Sequence, residues 1–196
     1  MHGAEIELKF PVSDPLAFAR RVEALGFHLQ TERTLEQNTL YDTPARDLRL
    51  RGQILRLRTY GSQCTVTHKR QPASPAADVR YKTRIETESG IDDCDALAEI
   101  FLQLGYVPVF HYEKFRTEWA STDIPGHLVL DETPIGTWAE LEGDPAWIDA
   151  IIERLGVAIE DTTTLSYGRL FLNWKDATGS PAQHMTFEAT QLVAAS

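Results

Sequence analysis

Polar and apolar positions alternate through most of the chain. Between Glu5 and Phe10, Glu5, Glu7 and Lys9 hold one parity while Ile6, Leu8 and Phe10 hold the other, the period of a two-faced strand. Residues 54–59 alternate likewise, with Arg56 and Arg58 opposing Leu55 and Leu57. Lys82, Arg84, Glu86 and Glu88 share one face of the next long run, and Lys114, Arg116 and Glu118 alternate with Phe115 and Trp119. Residues 128–131 and 138–142 add shorter strands, the last with Glu140 and Glu142 on one face.

Three segments carry helical spacing instead. The first opens at Ser13-Asp14-Pro15 and stops at Gly26, the second runs from about 93 to 104 and stops at Gly105, and the third opens at Asp144-Pro145 and stops at Gly156. Aspartate or serine followed by proline starts a helix well, and the closing glycines suit a left-handed cap. A weak repeat follows: three times a Glu-x-Glu strand (Glu5/Glu7, Glu86/Glu88, Glu140/Glu142) leads into a capped helix ending in Leu-Gly. Residues 71–77 read as a loop, and from Asp176 onward the periodicity fades. The expected organisation is one domain over residues 1–175 and a flexible or weakly docked tail over 176–196.

A single two-faced strand ordinarily turns its polar side to water. Here the pattern recurs in at least five strands, and the polar faces alternate Arg and Glu with little Ser, Thr or Asn. Closing such strands into a barrel removes their edges and leaves the apolar outside for the helices. The fold class is α+β, a closed β-barrel with a charged lumen. Inside it would gather Glu5, Glu7, Glu86, Glu88, Asp131, Glu140 and Glu142 beside Lys9, Arg56, Arg58, Lys69, Arg84, Lys114 and Arg116. Buried ion pairs roughly break even against apolar packing, so this many charges point to a charged ligand in an open, hydrated tunnel.

Paired carboxylates suit Mg²⁺ or Mn²⁺, while arginine forks and lysine ammonium groups suit phosphate. Together they describe phosphoryl or nucleotidyl transfer with one or two metal ions. Net charge is −10, from 19 Lys plus Arg against 29 Asp plus Glu, which weighs against a nucleic-acid binder. No apolar run approaches the roughly 20 residues of a membrane helix, no signal-peptide core is apparent, and a cytoplasmic location is expected. Cys64 and Cys94 give no disulfide framework, and Cys64 reads as a buried structural thiol. The six scattered histidines give no zinc spacing, Trp138 and Trp147 read as packing residues, and no phosphate-binding glycine loop is present.

These residues resemble the CYTH proteins, the triphosphate tunnel metalloenzymes. Glu5-x-Glu7-x-Lys9 looks like the family's opening motif. Tyr41-Asp42-Thr43 is similar to its Tyr-x-Asp-Thr segment, with one residue fewer. Leu55-Arg56-Leu57-Arg58, Thr67-His68-Lys69, Arg84-Ile85-Glu86-Thr87-Glu88 and Lys114-Phe115-Arg116 follow in the expected order. Asp131, Gly136, Glu140-Leu141-Glu142 and Ser166-Tyr167 complete a likeness spanning roughly residues 5–172.

The resemblance implies an eight-stranded antiparallel tunnel barrel and metal-dependent action on a small-molecule triphosphate. It makes Glu5, Glu7, Asp131, Glu140 and Glu142 metal-binding candidates. Glu86 and Glu88 either join them or hold the cations in place. Lys9, Arg56, Arg58, Lys69, Arg84, Lys114 and Arg116 would grip phosphates, with Glu5, Glu7, Lys9, Arg56 and Arg58 the catalytic candidates. Hydrolysis of tripolyphosphate, a nucleoside triphosphate or thiamine triphosphate is the preferred reading. Cyclisation of ATP by a class IV adenylate cyclase and a non-catalytic polyphosphate-binding module are the alternatives. The expected state is a monomer or homodimer without nucleic-acid or membrane partners.

Overall fold

A computed structural model of the chain describes residues 2–73, 80–121 and 126–191. Within the loop expected over 71–77, residues 74–77 lie outside the described residues. Eight strands form the barrel: β1 (His2–Pro11), β2 (His28–Asp42), β3 (Ile54–Tyr60), β4 (Gln63–Arg70), β5 (Lys82–Ile91), β6 (Val107–Ala120), β7 (Gly126–Thr133) and β8 (Gly136–Gly143). Every pairing is antiparallel, and the sheet closes in the order β1-β5-β4-β3-β2-β6-β7-β8. Closure leaves no unpaired edge, as the long charged strands require.

The expected helices are α1 (Pro15–Ala24), α3 (Cys94–Gln103) and α4 (Pro145–Leu155). Asp14, Asp93 and Asp144 each accept a hydrogen bond from a first-turn backbone N–H, satisfying donors that would otherwise be orphaned. A short turn of helix, α2 (Asp47–Leu50), and two C-terminal helices, α5 (Tyr167–Thr178) and α6 (Phe187–Gln191), complete the set.

The core lies outside the barrel wall. Leu8, Phe10, Leu128, Leu130 and Leu141 project outward from β1, β7 and β8 onto Phe18 and Val22 of α1 and Trp147, Ile148 and Ile151 of α4. The Trp147 ring presses on the end of the β7–β8 pair, where a Cβ at Gly126 would stand 2.5 Å from the ring, so only glycine fits there. A smaller cluster seats Phe101 of α3 against Tyr41 and Leu57.

Two expectations change. The residues beyond Asp176 are not a loose tail in the described part: α5 runs through Thr178, and the segment after it pairs Met185 with Tyr112 of β6. Met185 is fully buried against Tyr167, Leu170, Phe171 and Ala182, so apolar burial docks a stretch whose periodicity is weak. Residues 192–196 lie outside the described residues. The second correction concerns the cysteines, which form a Cys64–Cys94 disulfide with Cα atoms 5.8 Å apart. Cys64 does face outward from β4, as its parity requires, but there it meets the first residue of α3. Thirty residues of sequence separate the two, and only the fold brings them together.

Candidate active site in the barrel lumen

Strand parity delivers the expected charges to the interior, and antiparallel register pairs them. Lys69 of β4 donates to both oxygens of Glu5 at 2.6 and 2.7 Å and lies 3.2 Å from Glu86. Lys82 of β5 reaches Glu7 Oε1 at 2.5 Å. Lys9 lies between Glu140 at 2.6 Å and Glu7 at 3.5 Å. Thus two of the repeated Glu-x-Glu pairs meet through Lys9, and two through Lys69.

On the far wall, Asp131 accepts from Lys114 at 2.8 Å, from two nitrogens of Arg116 at 2.7 Å and from the Tyr167 hydroxyl at 2.7 Å. With 0 % exposure and four donors, Asp131 serves here as the anchor of two cations. Glu88 accepts from Arg58 at 3.3 Å and from Thr67 at 2.9 Å. Arg56 lies 3.7 Å from Glu88 and 3.9 Å from Glu86 and donates to Tyr112 and Thr67. Its Nε has no hydrogen-bond partner among the described residues.

Several lumen residues lie outside the set expected to line it. Glu36, with 0 % exposure, lies 3.3 Å from Lys114 and 3.8 Å from Arg116 and accepts from Asn38 at 2.9 Å. It sits where β2 alternates Glu36, Asn38 and Leu40 against Gln37 and Thr39, a mixed pattern in which one acid gives little signal. Lys82 shares its face with the expected charges and completes the Glu7 pair. Tyr167 sets its ring over the Lys9 and Lys114 ammonium groups at 4.9 and 5.0 Å. Arg84 holds the lumen parity of β5, yet no ion pair joins it to an acid among the described residues. The basic residues Arg46, Arg49 and Arg51 stay outside, exposed on and beside α2.

The centre is ion-paired: Lys9, Glu36, Lys114 and Asp131 are buried there, whereas Arg58, Lys82, Glu86 and Glu88 keep partial exposure. Helix α5 packs Tyr167, Leu170 and Phe171 against Phe110, Tyr112 and Trp138 at the end of the barrel where β1 stops. At the opposite end Glu142 reaches solvent. Burial would raise Glu7, but Lys9 and Lys82 outweigh it and hold the carboxyl down at about 2. Glu142 has no such partner: desolvation and the neighbouring Glu5, Glu7 and Glu86, opposed by Lys69, push it up to about 7. Burial and the nearby Glu7 and Glu86 also raise Glu5, against Lys69.

As the side chains stand, no three acids, imidazoles or thiols among the described residues form a ready metal cluster. The crowding of Glu5, Glu7, Glu86 and Glu142 nevertheless supplies oxygen donors whose mutual repulsion a divalent cation would relieve.

A family model described as the CYTH domain matches residues 3–144. The chain belongs to the CYTH domain family. It is 32% identical over 180 residues to the adenylate cyclase CyaB of Aeromonas hydrophila, covering 85% of this chain and 87% of that protein. A Methanocaldococcus jannaschii protein, provisionally named an adenylate cyclase, is 28% identical over 138 residues, 70% of this chain and 75% of that one. Among solved structures, a Pyrococcus horikoshii protein superposes with a TM-score of 0.69 at 25% identity, covering 86% of this chain and 98% of its own. A Hippeastrum protein, provisionally an adenylyl cyclase and described as having a dominant triphosphatase activity, superposes at 0.64 with 20% identity over 88% and 96% of the two chains. The CYTH match takes in β1 to β8; α4, α5 and the segment after them lie beyond it.

Proposed function

We propose that the barrel is a metal-dependent enzyme acting on a triphosphate, with hydrolysis to release phosphate as its reaction. The observation that carries this reading is the lumen's composition. Lys9, Arg56, Arg58, Lys69, Lys114 and Arg116 converge on a space where Glu142, which no ion pair joins to a cation among the described residues, stands beside Glu5 and Glu7 at the end that reaches solvent. Lysine and arginine held by buried carboxylates are already oriented, so they meet a polyphosphate without reorganising. The unsatisfied Arg56 Nε fits a phosphoryl oxygen as acceptor.

Glu5, Glu7 and Glu142 would hold a divalent cation. Once bound, such an ion offsets the charge of the phosphoryl oxygens and lowers the pKa of an attached water. Glu86 and Glu88 fit the alternative of holding Lys69, Arg56 and Arg58 in place, and Asp131 does so for Lys114 and Arg116.

Cyclisation of ATP is the second reading, favoured by the 32% identity to a protein named adenylate cyclase. It uses the same cations and acids, with the ribose hydroxyl attacking the α-phosphorus in place of water. Incubation with ATP, tripolyphosphate and thiamine triphosphate, each with Mg²⁺ or Mn²⁺, followed by product separation, tests both. Orthophosphate without cyclic nucleotide is the expected result. Cyclic AMP with pyrophosphate from ATP would replace hydrolysis by cyclisation.

A further inference from the structure

Of the three helices α1, α3 and α4 on the barrel wall, α3 is the most lightly packed and the one bonded to it covalently. It buries one side chain, Phe101, against five in α4. Leu97 and Ala98 sit partly buried beside Phe101 over Tyr41 and Leu57, while Ile100 and Leu104 turn to solvent. An element held by so little apolar burial opens more readily than the rest of a fold. The Cys64–Cys94 bond anchors the first turn of α3, two turns away from Phe101.

That bond can be reached and remade. A cavity of about 250 Å³ between α3 and the outer faces of β2 and β3 is lined by Tyr41, Leu57, Thr59, Cys94 and Ala98 among others, with Thr59 exposed. Cys64 is the register partner of Ile91 on β5, and Cys94 follows three residues later. With the bond cut, the β4–β5 register from Cys64↔Ile91 to Arg70↔Ile85 still keeps the two thiols close, so α3 alone is released. The bond also borders the lumen. The Thr59 hydroxyl lies 3.8 Å from Cys94 Sγ, and Thr59 follows Arg58 on β3. Arg58 Nε in turn donates at 3.2 Å to Thr65, which follows Cys64.

We infer that Cys64–Cys94 is a redox-sensitive latch: a dithiol reductant opens it, frees α3 from the wall and loosens Arg58 in the lumen, and a disulfide oxidant closes it again. One thiolate of the reductant attacks Cys94 Sγ from the cavity, and Cys64 leaves as the thiolate. The reductant's second thiol then displaces Cys94 from the mixed disulfide. Two electrons and the two protons of the reductant thiols thus end on Cys64 and Cys94, and the reductant departs as its own disulfide. The consequence for turnover rests on the reading of the lumen as a polyphosphate site, whereas the release of α3 does not.

Hydrogen exchange and tripolyphosphate turnover test this in the oxidised protein, the dithiothreitol-reduced protein and a Cys64→Ser, Cys94→Ser double variant. Reduction should go to completion without denaturant, speed exchange across α3 roughly tenfold and leave β7 and β8 unchanged. Glutathione disulfide should restore slow exchange in the wild type, and the double variant should exchange fast in every buffer. The KM for tripolyphosphate should rise about threefold on reduction of the wild type and stay constant in the double variant. A bond that dithiothreitol opens only in denaturant, or α3 exchange equal in both states, overturns the latch. An unchanged KM overturns its action on Arg58. A wild type without turnover in either state overturns the lumen reading, and exchange then decides the latch by itself.

Discussion

At the residue scale the lumen separates two kinds of acid. Asp131, Glu36, Glu88 and Glu140 are held by buried cations, whereas Glu142 and Glu5 crowd together with little or shared neutralisation. Asp131→Asn should therefore act on stability first. It removes the charge on which Lys114 and Arg116 converge, and breaking a buried network of this kind costs about 3–5 kcal/mol. Urea unfolding would show the loss; a variant as stable as the wild type would contradict the anchoring role. Glu36→Gln should destabilise for the same reason, since burial alone would raise this carboxyl and Lys114 and Arg116 hold it well below the usual range instead. Most of these charges were legible from strand parity, because alternation tells inside from outside. Glu36 was not, because its neighbours on β2 are polar on both faces. Tyr167 was seen only as part of a late motif, because its place over Lys9 and Lys114 depends on how α5 returns to the barrel.

At the element scale, capping aspartates and closing glycines marked α1, α3 and α4 within a residue or two. The C-terminal helices left a weaker trace, since α5 and the segment after it are fixed by packing of Phe171 and Met185 rather than by a strong local pattern. Two attachments hold outer elements to the wall. The Cys64–Cys94 bond ties α3 to β4, and Cys94→Ser should lower stability by about 3 kcal/mol in the oxidised protein, an effect that excess reductant removes by equalising the two proteins. Equal unfolding midpoints without reductant would contradict it. The C-terminal segment is held partly by His111, which bonds Thr39 through its ring and donates its backbone N–H to His184 Nδ1. Burial and His184 lower the His111 pKa, against Glu113. The unfolded chain thus takes up the proton more readily, and stability present at pH 8 should decline as the pH falls through the ordinary histidine range. Thermal unfolding from pH 8 to pH 5 would show this decline, and it should be shallower in His111→Asn. An identical profile in that variant would contradict the assignment.

At the scale of the whole molecule, a closed barrel solves two problems together. It leaves no free strand edge, and it lets eight strands turn charged faces toward one another while apolar faces take α1, α3 and α4. Helix α5 then covers one end with aromatic contacts, leaving the acid cluster at the other within reach of solvent. The closed topology followed from the recurrence of polar faces, whereas the covered end did not, because no strand pattern records what packs across a barrel mouth. The central claim is that the acids of β1 serve a metal-dependent reaction in this lumen. Phosphate release from tripolyphosphate in Mn²⁺ or Mg²⁺, measured for the wild type, for the wild type with chelator and for Glu7→Gln, tests it most directly. Turnover that chelator abolishes and that falls about a hundredfold or more in a folded Glu7→Gln protein is the predicted result. Turnover that persists in chelator, or a Glu7→Gln protein as active as the wild type, would contradict it.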